Sequence, residues 1–226
     1  MNDHKPHWLI RLYIWATYRL YNEFAWMYDL VSWLVSFGRW ADWRRSVLDF
    51  CNGPHVLEIG FGTGELLLEL QKKNFRVVGL DASNAMHRIV RRKLAKSDAN
   101  IPLIMGLSQN MPFMESTFDT IVSTFPASFI LESATLQEVS RLLKPADPQR
   151  ETPGGQMVIV GLASKNHRSQ FWEVLDRWLS VDPQKMVDDF TQKAQDAGLQ
   201  VIVKVTTQNK TSVPVYILRR KGSVLL

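Results

Sequence analysis

The sequence predicts an α/β protein built on a mostly parallel sheet, and two stretches carry this prediction. The apolar run 56–59 leads into three closely spaced glycines and then into a leucine-rich segment, 64–73, so it reads as a strand, a tight turn and a helix. Residues 75–81 then predict a second strand, and residues 84–96 a second helix. Strands that alternate with helices in this way indicate a parallel sheet covered by helices.

The alternation continues along the rest of the chain. Further strands are predicted at 101–106, 118–124 and 156–161, and further helices at 135–143, 167–180 and 183–197. The last two strands, 199–207 and 212–219, are separated only by residues 208–211 and therefore predict an antiparallel hairpin. The polar, proline-bounded segment 146–153 predicts an exposed loop.

Composition narrows the class of protein. The 226 residues, 46% of them hydrophobic, suffice for one substantial α/β core. Cys51 is the only cysteine, which excludes an internal disulfide and favours a reducing, cytoplasmic compartment. One cysteine and five scattered histidines predict no metal site. The net charge of +5 is too modest to indicate nucleic acid by itself.

The first 48 residues are unusually rich in tryptophan and predict two or three amphipathic helices. Charged residues interrupt them, so no uncharged run approaches the roughly 20 residues that a membrane span needs. We expect residues 1–48 to form a helical lid on a main domain of residues 49–226. Two interpretations stay open: the aromatic side chains pack on the domain, or residues 5–45 also contact a membrane surface.

The glycine-rich turn, residues 60–64, predicts a nucleotide-type ligand. A side chain on such a turn would keep the ligand away from backbone N–H groups. The spacing differs from a dinucleotide fingerprint because Glu65 stands where a glycine or alanine is expected, and no Lys-Ser/Thr pair of a P-loop follows. The carboxylate of Glu58 can face the turn. Asp81, at the end of the second strand, can accept hydrogen bonds from ribose hydroxyls or cap the following helix.

Five ordered motifs resemble class I S-adenosylmethionine-dependent methyltransferases. They are Glu58-x-Gly60-x-Gly62-x-Gly64, Gly79-Leu-Asp81-Ala-Ser83-x-x-Met86, Met111-Pro-Phe113, Phe118-Asp119-Thr-Ile-Val122 and Glu138-x-x-Arg141-Leu-Leu-Lys-Pro145. The resemblance implies a three-layer sandwich with a seven-stranded sheet whose last strand is antiparallel, and S-adenosylmethionine as cofactor. The cofactor residues it implies are Glu58, Gly60, Phe61, Gly62, Gly64, Asp81, Ala82, Met86, Leu107, Ser108, Gln109 and Ser123. Adenine recognition is expected from the backbone of Leu107 and Ser108, with an amide from Gln109 or Asn110.

The segment from Tyr28-Asp29 to Trp40 is similar to the entry segment of quinone-biosynthesis C-methyltransferases and related lipid methyltransferases, in which the tyrosine closes over the cofactor. A substrate pocket is expected from Tyr28, Thr124, Phe125 and Pro126. An acceptor that must lose a proton needs a base, and the candidates are Tyr28, Asp29 and His167. The alternative to a catalytic role is a structural pair at a helix junction for Tyr28 and Asp29, and a surface or capping histidine for His167.

The sequence therefore predicts a methyltransferase for a small hydrophobic or lipid-like acceptor, either a quinone precursor or a phospholipid amine. One alternative is a catalytically silent protein of the same fold that binds a membrane or a protein partner. An oxidoreductase is disfavoured by the glycine spacing, and no nucleic-acid module is recognisable. The basic residues of helix 84–96 predict a solvated face, or a contact with anionic lipid or a partner. Nothing in the sequence indicates the oligomeric state.

Overall fold

The structure is a computed structural model that describes residues 40–97, 99–147, 149, 153–162, 183–208 and 211–221. Several predictions fall outside these residues: the lid up to residue 39, Tyr28, Asp29, His167, the helix 167–180 and part of the loop 146–153. No helix in the described part is long and apolar enough to cross a membrane.

Seven strands form one sheet in the order β3-β2-β1-β4-β5-β7-β6. All neighbours pair in parallel except at β7, which is antiparallel to both β5 and β6. The predicted seven-stranded sheet with an antiparallel last strand is thus confirmed. The strands are β1 His55–Ile59, β2 Arg76–Asp81, β3 Leu103–Met105, β4 Thr120–Thr124, β5 Gln156–Val160, β6 Leu199–Gln208 and β7 Thr211–Arg220.

Five α-helices and two 3₁₀ turns accompany the sheet within the described residues. The helices are α1 Trp40–Arg45, α2 Glu65–Lys72, α3 Asn84–Ser97, α4 Ser133–Leu142 and α5 Pro183–Asp196, and the 3₁₀ turns are Ser46–Phe50 and Ser128–Leu131. Each of α2, α3 and α4 lies between consecutive strands of the chain, as a crossover connection between parallel strands requires.

The sheet is buried on both faces, which explains why its central strands are apolar runs rather than alternating patterns. Successive residues of β1 point to opposite faces: Val56 belongs to one core and Leu57 to the other. The first core contains side chains of α2 and α3, including Leu70, and the second contains side chains of α4 and α5, including Leu136. The chain therefore forms a three-layer arrangement around one sheet.

Some boundaries differ from the predicted ones. Strand β3 covers only Leu103–Met105, because Pro102 has no N–H and contributes to the ladder only through its carbonyl, which accepts from Gly79 N–H. Strand β4 begins at Thr120 rather than 118, since Phe118 pairs instead with Leu143 in an isolated bridge. Strand β6 runs one residue further than predicted, to Gln208, and β7 is one residue longer than predicted at each end, from Thr211 to Arg220.

The strand order reverses direction between β1 and β4. In open α/β sheets ligands bind outside the carboxyl ends of the strands at such a switch point. The glycine-rich turn leaves β1 at this edge, and Asp81 ends the neighbouring β2 there.

Candidate cofactor and substrate site

A cavity of about 460 Å³ lies at this edge of the sheet. Twelve residues singled out in the sequence line it: Glu58, Gly60, Phe61, Gly62, Asp81, Ala82, Leu107, Ser108, Gln109, Thr124, Phe125 and Pro126. They come from the carboxyl ends of β1, β2 and β4 and from the segment after β3. The fold therefore brings together residues that are far apart along the chain.

Two glycines of the turn have different physical roles. A Cβ on Gly62 would meet nothing within 4 Å, so its missing side chain leaves open cavity for a ligand. A Cβ on Gly64 would lie 2.7 Å from Cγ2 of Val90, so this glycine permits α2 to start against α3. Both have positive φ, 51° and 76°, which favours glycine at either position.

The carboxylate of Asp81 is fixed by backbone donors. Gly62 N–H donates to one oxygen at 3.0 Å, and Ser83 N–H donates to the other at 2.8 Å. Burial raises the pKa of Asp81, and these two hydrogen bonds oppose that rise. The carboxylate thus connects the glycine-rich turn to the start of α3, with further lone pairs available to a ligand.

His87 of α3 holds the backbone of Asp81 in place, a role that the sequence did not predict. His87 is buried, and its Nε2 lies 3.0 Å from the carbonyl oxygen of Asp81. Because a carbonyl only accepts, Nε2 carries the proton. The ring also meets the edge of Phe61, with 4.9 Å between ring centroids.

Three ionisable side chains lie close together near the turn. Arg44 of α1 lines the cavity and contacts Glu69 at 3.4 Å, and Glu58 lies nearby on β1. Burial raises the pKa of Glu58 well above its usual range, while the charge of Arg44 opposes this rise. In the described structure Oε2 of Glu58, Nε of Arg44 and Oε2 of Glu69 are buried without a hydrogen-bond partner, and the first two belong to residues that line the cavity. Buried polar atoms without partners are rare, and these two indicate a place for a polar ligand group.

Lysine 93 holds the turn against α3. Its Nζ donates to the carbonyl oxygen of Thr63 at 2.9 Å and pairs with the carboxylate of Glu65. Glu65, the residue that departs from the dinucleotide fingerprint, is thus an ion-pair partner at the start of α2.

The segment after β3 forms another wall of the cavity. The Ser108 hydroxyl lies 2.9 Å from the Thr135 hydroxyl, and Nε2 of Gln109 donates to Glu132 at 2.8 Å. The amide nitrogen of Gln109 is thereby engaged, while Leu107 is 60% exposed at the cavity rim. Backbone groups of Leu107 and Ser108 remain the proposed adenine contacts.

The loop after β4 forms the apolar wall. Phe125 has a positive φ of 50°, which is rare for a bulky residue, and its N–H donates to the carbonyl oxygen of Val160 at 2.7 Å. Its ring centroid lies 6.1 Å from that of Trp43 in α1. The α1 segment, predicted as part of the lid, therefore packs on the cavity wall.

Three residues expected to contact the cofactor do not line the cavity. Met86 is fully buried in the core beneath α2 and α3, because its position in α3 faces the sheet. Ser123 is also buried, and its hydroxyl donates to the carbonyl oxygen of Ile59 at 2.8 Å, which joins β4 to β1. Gly64 meets Val90 instead. Each of the three shapes the site from outside the cavity lining, and their contact with the cofactor stays a prediction.

Sequence reasoning also missed residues that line the cavity. Arg44 and Phe129 are the most informative, the first for its charge and the second because its ring lies 3.1 Å from where a Cβ of Gly60 would be. Neither belongs to one of the five motifs. For Arg44, the only signal in the sequence was its position near the end of an aromatic amphipathic segment that precedes a buried strand.

The fold and the turn define a class I methyltransferase architecture, and comparisons with known proteins agree. A family profile described as a methyltransferase domain matches residues 56–146. The PH0226 protein of Pyrococcus horikoshii superposes with a TM-score of 0.62 over 90% of this chain and 96% of that one, at 15% identity. A putative S-adenosylmethionine-dependent methyltransferase of Methanococcus maripaludis gives 0.62 over 89% and 94%, at 20% identity. At such identities the likeness concerns the fold.

Curated relatives are more similar in sequence. The demethylmenaquinone methyltransferase of Symbiobacterium thermophilum is 28% identical over 206 residues, which cover 87% of this chain and 77% of that protein. The demethylmenaquinone methyltransferase of Thermotoga maritima is 30% identical over 66% of this chain and 62% of its own length. The ubiquinone/menaquinone biosynthesis C-methyltransferase UbiE of Geobacter sulfurreducens is 29% identical, and the match spans 59% of its length. The chain thus spans about six tenths of the latter two.

Taken with the fold, these matches show that the chain is similar to S-adenosylmethionine-dependent methyltransferases of class I in architecture and, over residues 56–146, in sequence profile. The residues present fit that cofactor. The partnerless Oε2 of Glu58 suits an ammonium group, the partnerless Nε of Arg44 suits a carboxylate, and the open space over Gly62 suits a ligand in contact with the turn.

Proposed function

We propose that the protein transfers a methyl group from S-adenosylmethionine to a small hydrophobic or lipid-like acceptor, with a quinone precursor as the first candidate. The observation that carries the proposal is the composition of the cavity, whose lining combines a polar set of residues with an apolar set, here called the polar and apolar halves. Glu58 and Asp81 stand in the first, and Phe125, Pro126 and Phe129 in the second. The names of the demethylmenaquinone and UbiE relatives support the choice of a quinone ring.

The polar half would hold the cofactor by its charged and hydroxyl groups. Glu58 and Arg44 would pair with the amino and carboxylate groups of the methionine end, and Asp81 would accept from the ribose. When bound, S-adenosylmethionine supplies an electrophilic methyl group on a sulfonium. The apolar wall would orient the acceptor and exclude water, and positioning of this kind can contribute about 7–11 kcal/mol in effective molarity.

A quinone-ring carbon or a phospholipid ammonium must lose a proton during methylation. We propose Tyr28, Asp29 or His167 as the base that takes it. All three lie outside the described residues. The phospholipid amine is retained as second acceptor because the same apolar wall would suit it.

Cofactor binding is tested by thermal unfolding with S-adenosylhomocysteine, S-adenosylmethionine and NAD. A ligand at about 100 times its Kd stabilises a protein by about 2.7 kcal/mol, which corresponds to about 5–11 °C in a chain of this size. We expect that shift with the two adenosyl compounds and none with NAD. Gly62→Val and Asp81→Ala should abolish it, and Asp189→Ala, at an exposed carboxylate of α5, should not.

The acceptor is tested by labelled methyl transfer into a host lipid extract and into an aqueous metabolite extract. Label in the lipid extract that is lost in Gly62→Val supports the proposal, and label confined to the aqueous extract contradicts it. Binding of the adenosyl compounds without transfer into either extract would favour the silent alternative.

Contact of residues 5–45 with a membrane stays a separate proposal, since positions up to 39 lie outside the described part. Its support is the tryptophan density of this segment. Flotation with anionic liposomes tests it: the full chain should float and a chain lacking residues 1–22 should not. Equal recovery of both in the soluble fraction would count against it.

A further inference from the structure

One exposed face of α3 (Asn84–Ser97) carries a concentrated positive charge. The helix contains five basic residues and no acidic one. Lys93 is engaged with the glycine-rich turn, but Arg88, Arg91, Arg92 and Lys96 are all exposed. Their spacing of three and four residues places these four on the same side of the helix, and we call them the basic face.

This arrangement is unfavourable for the helix itself. Arg88 and Arg92, and then Arg92 and Lys96, are like charges four residues apart, which repel each other on a helix surface. The helix dipole does not add to this repulsion, because Arg88 lies beyond the first turn and Lys96 stands in the last turn, where positive charge is favourable. No salt bridge in the described part of the chain engages any of the four. If the only requirement on this surface were solvation, an acidic residue at one of these positions would stabilise the helix.

The basic face begins beside the mouth of the cavity. α3 starts one residue after Ser83, which lines the cavity, and Arg88 follows about one turn later. Two exposed apolar side chains stand at the same edge of the sheet: Met105, 51% exposed at the end of β3, and Leu107, 60% exposed on the cavity rim. Arg88 and the two apolar side chains therefore belong to the carboxyl edge of the sheet, where the cavity lies, whereas Arg92 and Lys96 lie successively further from this edge along α3.

We propose that the basic face docks the protein on an anionic phospholipid surface, with the cavity mouth close to the bilayer. Charge complementarity supports this occupant, because Lys and Arg near an anionic membrane each strengthen binding about fivefold. The choice of a membrane also rests on the proposed function, since a lipid-soluble acceptor has to enter from a bilayer. Single-stranded nucleic acid suits the face less well, because its bases stack on exposed aromatic side chains. Among the described residues, the large apolar side chains that are exposed are all aliphatic or methionine.

The test is cosedimentation of the full chain with vesicles of phosphatidylcholine alone and of phosphatidylcholine with phosphatidylglycerol. We expect binding to the anionic vesicles only, decreasing as salt is raised. The variant Arg88→Gln/Arg92→Gln should bind them about 25-fold more weakly, from about fivefold for each charge removed. Unchanged binding of this variant would overturn the proposal and leave any membrane contact to other parts of the chain.

A matched control removes two exposed lysines elsewhere, in Lys185→Gln/Lys204→Gln, which lie on α5 and β6. This variant should bind anionic vesicles within about twofold of the unchanged chain. An equal loss in both variants would mean that only net charge matters, and it would overturn the docking face. Total RNA that displaces the protein from vesicles, with affinity lost in the α3 variant alone, would assign the face to nucleic acid and also overturn it.

The two proposals can fail separately. The thermal shift with S-adenosylhomocysteine should be equal in both double variants, because neither pair of residues lines the cavity. Vesicle binding without methyl transfer would leave the docking face standing and contradict the proposed function. Methyl transfer with no selective vesicle binding would support the proposed function and contradict the docking face.

Discussion

At the scale of single residues, Glu58 shows how a site can lower stability in order to bind a ligand. Its carboxyl group is fully buried with one oxygen lacking a partner, and burial raises its pKa. Because the folded-state pKa exceeds the unfolded one, the folded protein holds this proton more tightly. Its contribution to stability is therefore complete below about pH 4.5 and is lost as pH rises towards the folded pKa.

Glu58→Gln should accordingly make the ligand-free protein more stable at pH 8 and flatten the fall in stability above about pH 4.5. The same change removes a charged acceptor and should weaken S-adenosylhomocysteine binding roughly 10–100-fold. Thermal unfolding from pH 4 to 9, with and without the ligand, measures both effects. Glu115→Gln, at an exposed position, is the control; a destabilised Glu58→Gln that binds normally would contradict the assignment.

The two turn glycines allow a second prediction at this scale. Gly62→Ala should cost only the left-handed backbone strain, about 1–2 kcal/mol, but should block the ligand because its methyl group enters the cavity. Gly64→Ala adds a clash with Val90 and should cost about 2–5 kcal/mol. Chemical denaturation measures the difference, and Val90→Ala should rescue only the second variant. Equal destabilisation of both would contradict the separate roles.

At the scale of elements, a charged cluster joins the starts of β1 and β4, at the end of the sheet opposite the cavity. Asp119 accepts from His55 N–H at 2.9 Å and from Lys144 Nζ at 2.7 Å. Burial raises the pKa of Asp119, but the hydrogen bonds from Lys144 and His55 outweigh it and leave the pKa lowered. The stability from this carboxylate is therefore present above the unfolded pKa and is lost as pH falls.

Asp119→Asn should lower the free energy of unfolding at pH 7 by about 1–2 kcal/mol, because it removes the charge from these hydrogen bonds. The difference from the unchanged chain should shrink as pH falls below about 4, where the carboxylate becomes protonated. Urea titrations at pH 7 and pH 3 measure it. The ligand-induced thermal shift should persist, since the cluster lies at the amino ends of the strands; its loss would show that this end of the sheet is coupled to the cavity.

At the scale of the whole molecule, one sheet separates two cores, and both must unfold when the sheet does. Leu70 and Leu136 are fully buried leucines, one in each core. Leu70→Ala and Leu136→Ala should each cost about 2–5 kcal/mol and lower the Tm by roughly 4–20 °C, with a single transition in both. Far-UV circular dichroism and tryptophan fluorescence should coincide. Met114→Ala, at an 82% exposed side chain, is the control, and two separated transitions would show that the cores unfold independently.

The sequence predicted those parts of the molecule that local patterns determine. The run 56–59, the glycines and Asp81 sufficed to locate the ligand edge, because parallel strands bring their carboxyl ends together. Positions whose side-chain direction depends on packing were less accessible. Met86 falls in a motif, but its place on α3 turns it into the core, and Ser123 of β4 donates its hydroxyl to the carbonyl oxygen of Ile59. Arg44 was missed because Glu69, its ion-pair partner, and Glu58, whose pKa its charge affects, become its neighbours only in the folded chain.

The positive φ of Phe125 has a consequence for engineering. A bulky residue in the left-handed region stores about 1–3 kcal/mol of backbone strain, which the bond to Val160 and the contact with Trp43 maintain. A glycine or asparagine at this position would relieve the strain and shorten the wall at the same time. The substitution would also remove a ring that packs on the core and on Trp43, and losing such packing costs about 3–5 kcal/mol, so the wider cavity would come with a less stable scaffold.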